Sequence, residues 1–359
     1  MGPKKYVHYF WMRRLAQGIA RGAALAPYSS IPPKSPPPLP WPHNVRIKKG
    51  MRTIILGGTG FIGSALARLL VAQGHEVVIP SRRPEKVPAV LGAAVRGAPF
   101  DGKTGAGWAD FITPETGVVN LAGENIAAGR WTPEVKARIE SSRLAAGAAV
   151  LDAIARADAP PAVLVQASAV GYYGARGPEP VDESAGPGDN FLSRVAVGWE
   201  ASTQGAEALG VRRVVIRTSM VLGPGGALEK MLPPFRLGLG GPLGAGTQMV
   251  PFIHLDDEVG AIAFLLHTPG LSGPFNLAAP QAVDSRGFAR ALGRALGRPA
   301  LLPAPAFALK LLLGQMAEEV LLSGVNAVPA RLLAAGYRFR HPTLAGALAQ
   351  ALVAAPGAG

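Results

Sequence analysis

The sequence predicts an α/β fold, with a doubly wound parallel sheet that begins near Met51 and a small helical region at the C-terminus. Short, continuously apolar runs, typical of strands buried on both faces, alternate with amphipathic helical stretches. A glycine-rich turn joins the first of these strands to the first helix. The 359 residues are 48% hydrophobic, which is enough to bury a large core.

The first fifty residues differ from the rest of the chain. They hold nine prolines, nine lysines and arginines, and no acidic residue. Proline disfavours both helix and sheet, so residues 1–50 are predicted to be a disordered or wrongly assigned extension. Two interpretations stay open: translation that starts at Met51, or an organellar targeting segment. The first is favoured because Met51 directly precedes a strand, and we expect a cytoplasmic protein.

Charge and composition exclude several classes of function. The formal net charge is +13, but residues 51–359 hold 27 basic and 23 acidic side chains. A nearly balanced body is not the footprint of a nucleic-acid-binding protein. The absence of cysteine excludes disulfides and thiolate metal sites, and the six histidines lack metal-ligand spacing. We expect a small-molecule substrate, no metal, no membrane and no nucleic acid.

The first strand, Thr53–Leu56, leads through the glycine-rich turn into a helix at Phe61–Ala72. Gly74 ends this helix, and a second strand follows at Glu76–Ile79. Strand, glycine turn, helix and strand in this order are the setting of a dinucleotide-binding Rossmann fold. The turn reads Gly57-Gly58-Thr59-Gly60-Phe61-Ile62-Gly63.

Three glycines of this turn have distinct predicted roles. Gly57 permits the tight turn, Gly60 lets the backbone approach a pyrophosphate, and Gly63 lets the helix pack close to the strand. The free N–H groups at the helix N-terminus then face the phosphates. We therefore predict that residues 57–63 bind a dinucleotide; a glycine turn without ligand is the alternative.

The end of the second strand indicates which dinucleotide is bound. An NAD site usually has an acidic residue there for the ribose 2′-hydroxyl. This sequence has Ser81, Arg82 and Arg83 instead. Guanidinium groups match the charge and geometry of a 2′-phosphate, so we predict NADP as the cofactor. An exposed basic loop without ligand is the alternative.

The following elements continue the alternation. The predicted strands are Gly117–Leu121, Ala162–Ala167 and Val214–Arg217, and the predicted helices are Pro133–Arg156, capped by Thr132, and Phe191–Leu209. Such alternation predicts a parallel sheet. A glycine- and proline-rich stretch from Gly223 to Pro251 then interrupts it. We divide the chain into the extension (1–50), a Rossmann domain (51–222), a substrate-cleft region (223–302) and a C-terminal helical extension (303–352).

Several motifs resemble one family. The glycine turn resembles that of extended short-chain dehydrogenases/reductases, and so do Asn120-Leu121-Ala122-Gly123, the stretch from Ser168 to Gly174, and Phe252–Asp257. Gly123–Ile126 with Arg130-Trp131, Gly223–Gly246 and Leu313–Glu318 are similar to an atypical branch, the epimerase family of NADP-binding proteins. That branch carries a C-terminal helical extension of unknown function, which Pro303–Leu352 resembles. The resemblance adds Asn120, Leu121, Ala122, Gly123 and Arg217 to the predicted cofactor site.

The resemblance also implies hydride chemistry with a tyrosine and a lysine four residues later as the acid–base pair. No tyrosine of this sequence has a lysine at that spacing. Leu192 and Ala196 occupy the positions where the family helix carries the pair. The usual dyad is therefore missing, and the proton must come from another residue if the protein is catalytic.

The candidates for catalysis follow the predicted strand Ala162–Ala167. Ser168 suits a hydrogen bond to a substrate oxygen, and Tyr172 or Tyr173 could donate the proton. A serine bonded to backbone and two packing aromatics are the alternatives. The predicted substrate residues are Glu124, Asn125, Arg130, Glu200 and Lys230. For these, a surface turn and an ion-paired glutamate are the alternatives.

The sequence thus predicts an NADP-binding, epimerase-like oxidoreductase acting on an unidentified small molecule. A tyrosine whose pKa stays near ~10 is protonated at neutral pH, which favours the reductive direction. A non-catalytic NADP-binding regulatory or interaction protein is the second interpretation, and the missing dyad supports it.

Overall fold

The computed structural model describes residues 50–353. Residues 1–49 and 354–359 lie outside the described part, and with them almost all of the predicted N-terminal extension. Between residues 50 and 353, no helix combines the length and the apolar character needed to cross a bilayer.

Seven parallel strands form the central sheet, in the order β3-β2-β1-β4-β5-β7-β10. They are β1 (Arg52–Leu56), β2 (Glu76–Ser81), β3 (Val95–Pro99), β4 (Thr116–Asn120), β5 (Val163–Ala169), β7 (Arg212–Thr218) and β10 (Gly273–Leu277). The strand order reverses between β1 and β4, and a ligand crevice opens at such a reversal, beyond the carboxyl ends of the strands. The predicted doubly wound parallel sheet is confirmed.

Two small parallel pairs stand outside this sheet. The first joins β6 (Pro180–Val181) to β11 (Asn326–Ala327), and the second joins β8 (Met220–Leu222) to β9 (Phe252–His254). The first pair ties the C-terminal region to the segment after β5, and the second lies directly after β7. Both therefore attach later parts of the chain near the carboxyl edge of the central sheet.

Helices cover both faces of the sheet. Leu66 and Leu70 of one helix and Ile262 of another pack on one face, whereas Val150 and Ile154 pack on the other. The helices are Phe61–Ala72, Val87–Leu91, Pro133–Arg156, Phe191–Ala201, Gly205–Ala208, Gly226–Arg236, Leu255–His267, Ser285–Ala295, Ala306–Leu313, Ala330–Ala334 and Leu344–Val353.

Two predicted helices keep their predicted bounds, and one does not. Phe61–Ala72 and Pro133–Arg156 are as predicted, and the Thr132 side chain accepts a hydrogen bond from the N–H of Val135. The predicted helix 191–209 is wrong as a single element, since it ends at Ala201 and resumes at Gly205. The Ser202 hydroxyl donates to the carbonyl of Trp199 at 2.7 Å, a local bond that competes with helix continuation.

Strands β3 and β10 were not predicted. In β3 only Val95 and Ala98 are buried, so its apolar pattern is too weak to distinguish it from a loop. The stretch after Gly223 also differs from expectation, since it contains the helix Gly226–Arg236 with Pro233 and Pro234 inside it. A proline inside a helix has no N–H to donate, so each of these prolines removes a backbone hydrogen bond of the helix. The sequence pattern therefore favoured a loop.

The C-terminal helices pack into two cores that belong to earlier parts of the chain. Leu344 and Leu348 share one core with Leu228 and Phe288 of the 223–302 region. Leu309, Leu313 and Met316 share another with Trp131, Ile139 and Phe191 of the Rossmann part. The region from residue 303 onward therefore bridges the two preceding regions.

Candidate functional site

The glycine-rich turn after β1 is packed so tightly that three of its glycines leave no room for a side chain. Gly57 has a φ of +77°, and a Cβ there would lie 3.0 Å from the backbone of Leu121. A Cβ on Gly58 would overlap the side chain of Ile79. A Cβ on Gly63 would overlap the carbonyl oxygen of Gly57. The predicted roles of Gly57 and Gly63 in turning and close packing therefore have a direct geometric basis.

Gly60 differs from these three because its missing side chain leaves space on the outer side. A Cβ there would approach only the carbonyl oxygen of Gly57, at 3.2 Å, and both Thr59 and Gly60 are exposed. The helix Phe61–Ala72 has no side-chain cap at its start and no acidic residue in its first turn. Its first N–H groups are open to a ligand, and a phosphate fits such a helix N-terminus.

The basic residues after β2 lie free at the surface. Arg82 and Arg83 are exposed, and neither guanidinium forms an ion pair or hydrogen bond with any residue in the described range 50–353. The Ser81 hydroxyl accepts a hydrogen bond from the N–H of Arg83 at 3.1 Å and so bends the chain at the strand end. Two unpaired guanidiniums at this position can receive a phosphate group.

The segment after β4 forms the opposite wall of the crevice. The Leu121 N–H donates to the carbonyl of Leu56 at 3.0 Å, and the Asn120 side-chain oxygen accepts from the N–H of Ala122 at 3.3 Å. Asn120 is fully buried and also donates to Gln166 of β5 at 2.9 Å. Asn120 therefore fixes the backbone of the Leu121–Gly123 wall through its bond to Ala122. Gly123 itself is exposed.

Ser168, Glu200 and Arg217 form one buried network beside the crevice. The Ser168 hydroxyl donates to Oε1 of Glu200 at 2.6 Å. Arg217 donates to both carboxylate oxygens of Glu200, from Nε at 2.8 Å and from Nη2 at 3.0 Å. The side chains of Arg217 and Glu200 are 5% and 15% exposed. Glu200 is thus an ion-paired residue, and the fork of Arg217, predicted to bind cofactor, is taken up by this carboxylate.

The two tyrosines after β5 have opposite surroundings. Tyr173 is fully buried; its hydroxyl donates to Asn276 at 2.7 Å and accepts from Nη1 of Arg217 at 3.0 Å. Burial raises the pKa of Tyr173 above its usual value. Tyr172 is half-buried with its ring 3.5 Å from the Arg217 guanidinium carbon, and its hydroxyl has no hydrogen bond to any described residue. Of these two tyrosines, Tyr172 alone has a hydroxyl without a hydrogen-bond partner among residues 50–353.

Three of the predicted substrate residues, Glu124, Asn125 and Arg130, lie on a loop that is held at several points. The other two, Glu200 and Lys230, lie on helices. The Glu124 carboxylate pairs with Arg138 at 3.1 Å, and the Asn125 side chain accepts from the N–H of Ala127 at 2.8 Å. Nη1 of Arg130 donates to the carbonyl of Leu311 at 3.2 Å, and Nζ of Lys230 donates to that of Ala127 at 2.9 Å. The contacts of Arg130 and Lys230 hold the loop 124–130 against two later helices.

Glu258 is a buried acid that the sequence analysis missed. It is fully buried in the first turn of the helix Leu255–His267, where an acidic residue usually signals only a favourable helix N-terminus. Its Oε1 accepts from the Thr218 hydroxyl at 2.8 Å, and its Oε2 has no partner within the described residues. Burial raises the pKa of Glu258 to about 8.

A cavity of about 550 Å³ opens on the side of the molecule where the 223–302 region meets the C-terminal helices. Neither Ser168 nor either tyrosine lines it. Its walls come from Arg176, Gly177, Pro178, Gly244, Ala245, Thr247, Gln248, Met249, Ala306, Lys310 and Leu322. The predicted catalytic residues are therefore not part of this cavity.

Two family models match the chain. The model described as NAD dependent epimerase/dehydratase family matches residues 53–278, and a domain of unknown function, DUF1731, matches residues 304–351. The second match covers nearly the whole C-terminal helical region.

Known proteins are similar along most of the chain. Epimerase family protein SDR39U1 of Bos taurus is 40% identical over 311 residues, which are 84% of this chain and 100% of that protein. The Arabidopsis thaliana protein named SDR39U1 homolog, chloroplastic, is 38% identical over 304 residues, covering 83% of this chain and 86% of that one. A crystal structure of human SDR39U1 (isoform2) with NADPH has a TM-score of 0.74 at 36% identity, covering 84% and 99% of the two chains.

Proposed function

This chain belongs to the NAD dependent epimerase/dehydratase family, and we propose from that premise that it is an NADP(H)-dependent reductase of a small carbonyl compound. The observation that carries the proposal is the pair of unpaired guanidiniums, Arg82 and Arg83, at the end of β2 beside the glycine turn. A 2′-phosphate is the group of NADP(H) that NAD(H) lacks, and it needs this charge. The solved human relative, 36% identical, has NADPH named in its description.

Different residues of the site bind different groups of the dinucleotide. The N–H groups at the start of the helix Phe61–Ala72 hold the pyrophosphate, and Gly60 lets it approach the backbone. Arg82 and Arg83 hold the 2′-phosphate, and the Leu121–Gly123 segment lines the other side of the crevice. Bound NADPH would supply a hydride to the carbonyl carbon.

Tyr172 supplies the proton. Its phenol is half-exposed and free of other hydrogen bonds, so it can donate to the substrate oxygen as the hydride adds to carbon. The Arg217 guanidinium over the ring stabilises the phenolate that remains, which then regains a proton from water. Ser168 has its donor committed to Glu200 but can still accept a hydrogen bond from the hydroxyl of the product.

Cofactor selectivity tests the proposal. Calorimetric titration with NADPH and NADH should give tighter binding of NADPH, by roughly 10- to 150-fold, because a charge-assisted bond contributes about 1.5–3 kcal/mol. Replacing both Arg82 and Arg83 by alanine should remove most of this preference and leave NADH affinity unchanged. Arg96, also basic and on the neighbouring strand β3, is the matched control for a general loss of positive charge. Equal affinity for the two cofactors would refute the assignment.

A second function is favoured by the buried network. Glu200 and Arg217 neutralise each other, and Ser168 and Tyr173 are bonded within the same network, which leaves one free tyrosine. A non-catalytic protein that binds NADP(H) to regulate an interaction has the same features. Tight NADPH binding without turnover of any member of a broad carbonyl panel would select this function.

A further inference from the structure

The helix Pro133–Arg156 carries a buried arginine that faces the wall of the crevice. Arg143 is 8% exposed, and its guanidinium carbon lies 4.6 Å from the centre of the Trp199 ring. On the other side, a Cβ on Gly123 would lie only 3.1 Å from that carbon. The guanidinium therefore sits between an indole and the exposed glycine that follows β4.

Most of the hydrogen-bonding capacity of Arg143 is unused. Nη1 donates to the carbonyl of Ile139 at 2.9 Å, one turn back on the same helix. Among residues 50–353, neither the buried Nε nor the buried indole N–H of the adjacent Trp199 has an acceptor. Two buried donors without acceptors at one place are rare, because each costs the free energy of its lost hydration.

The charge of Arg143 is only partly compensated. No carboxylate of the described chain lies within ion-pair distance of it, and Glu124 is paired with Arg138 at 3.1 Å. Burial lowers the pKa of Arg143 to about 10, against a smaller opposing effect of the Glu124 charge, so the group is still charged at neutral pH. A buried cation without a counter-ion in direct contact is costly for stability, and a ligand that brings negative charge reduces that cost.

The surroundings of Arg143 connect it to the proposed reaction site. Trp199 is the neighbour in sequence of Glu200, which holds Ser168 and Arg217, so both groups flank the same turn of one helix. Gly123 belongs to the crevice wall, and any side chain there would press on the guanidinium. The absence of a side chain at residue 123 lets this wall lie directly against Arg143.

We propose that Arg143 and the indole N–H of Trp199 form an oxyanion-binding site for the substrate, which takes a carboxylate or phosphate group. The proposal rests on the proposed function and narrows its substrate to an acidic carbonyl compound. The planar guanidinium fork presents parallel N–H groups that match the two oxygens of either anion. The indole N–H adds a donor from the opposite helix. Arg143 packs against Gly123 of the proposed cofactor wall. Arg82 and Arg83, proposed for the 2′-phosphate, contact neither group within the described part of the chain.

Titration with two simple anions tests this site. Oxalate and inorganic phosphate are added to the full chain with NADP⁺ present, and tryptophan fluorescence is recorded, with Trp199→Phe to assign the signal. We expect saturable binding of at least one anion, weakened about tenfold or more in Arg143→Met. Arg156→Met, a change of the same charge thirteen residues later on the same helix, should alter the affinity less than about twofold, since Arg156 is exposed and pairs with Asp152. NADPH affinity should be unchanged in both variants.

Several outcomes would overturn the site. They are the absence of saturable binding of either anion, an equal loss in Arg156→Met, and competition of the anions with NADPH together with loss of NADPH affinity in Arg143→Met. The last would assign the donors to the cofactor. Failure of the unmodified protein to bind NADPH would refute the proposed function instead, while phosphate binding would still report on Arg143. If Arg143→Met does not fold, Arg143→Lys, which keeps the charge but loses the fork, should bind both anions more weakly.

Discussion

Arg143 and Arg217 are both buried near the carboxyl edge of the sheet, yet their guanidinium groups differ in the number of partners that they bind. Arg217 donates to both oxygens of Glu200 and to the Tyr173 hydroxyl, and these contacts raise its pKa. Within the described range, Arg143 has one backbone acceptor and no carboxylate in contact, and burial lowers its pKa more than the charge of Glu124 raises it. The number of partners, and not burial alone, therefore separates a group that stabilises the fold from one that is open to a ligand.

The same contrast between Tyr172 and Tyr173 predicts the largest effect. Tyr172→Phe should lower turnover of an accepted carbonyl substrate by roughly 10²- to 10⁴-fold, because the proton donor is lost, with NADPH affinity unchanged. Tyr173→Phe removes a hydroxyl bonded to Asn276 and Arg217 and should instead lower the free energy of unfolding by about 1–3 kcal/mol. Steady-state kinetics and urea denaturation of both variants check this. Full activity of Tyr172→Phe would contradict the assignment.

The two arginines themselves should differ in stability. Arg217→Met leaves the Glu200 carboxylate buried without its cation and should lower the free energy of unfolding by about 3–5 kcal/mol. Arg143→Met strands no partner carboxylate and keeps an apolar stem against Trp199, so its change should stay within about 1 kcal/mol. Urea denaturation of the cofactor-free protein measures both. Equal losses in the two variants would show that the bonded partners of the two arginines do not determine their contributions to stability.

The same comparison applies to two acidic residues, Glu258 and Glu200, for which we expect smaller effects on the free energy of unfolding. The folded-state pKa of Glu258 is raised to about 8, so the folded form holds a proton that the unfolded form releases above its own pKa of about 4.5. Stability is therefore lost as pH rises from about 4.5 to 8. Glu258→Gln keeps the bond from Thr218 and should raise the free energy of unfolding by about 2–3 kcal/mol at pH 7.

The pH dependence supplies the control for that variant. The gain of Glu258→Gln should shrink as the pH falls and vanish near pH 4.5, where both states of the unmodified protein hold the proton. Glu200→Gln should be destabilising at neutral pH, since it weakens the pair with Arg217. Thermal unfolding from pH 5 to 8 measures both. A gain of Glu258→Gln that is independent of pH would exclude titration of Glu258 as its cause.

A feature can be predicted from the sequence when the residues that form it are close together in the chain. The glycine turn and the Phe61–Ala72 helix are predictable because seven consecutive residues hold the whole motif. Glu200, Arg217 and Asn276 come from three separate elements, so no spacing announces their network. Arg217 was predicted at the cofactor from the family resemblance, but a single sequence cannot reveal which carboxylate pairs with its guanidinium.

The burial of Arg143 is a second feature that could not be predicted from the sequence. An arginine in the middle of a long helix is ordinarily a solvated residue, and nothing in its neighbours signals burial. Only the packing of Trp199 from another helix and the missing side chain of Gly123 set its environment. The chemistry specific to this chain is thus found where tertiary contacts, rather than local patterns, decide the surroundings of a side chain.

The core that Leu344 and Leu348 share with Leu228 and Phe288 has a consequence for biosynthesis. A ribosome makes the helix Leu344–Val353 after every element against which it packs. Until that helix emerges, the growing chain exposes the apolar side of the helix Gly226–Arg236, and such surface attracts chaperones and proteases. Nascent chains arrested before residue 344 should therefore be far more sensitive to protease than those arrested beyond it.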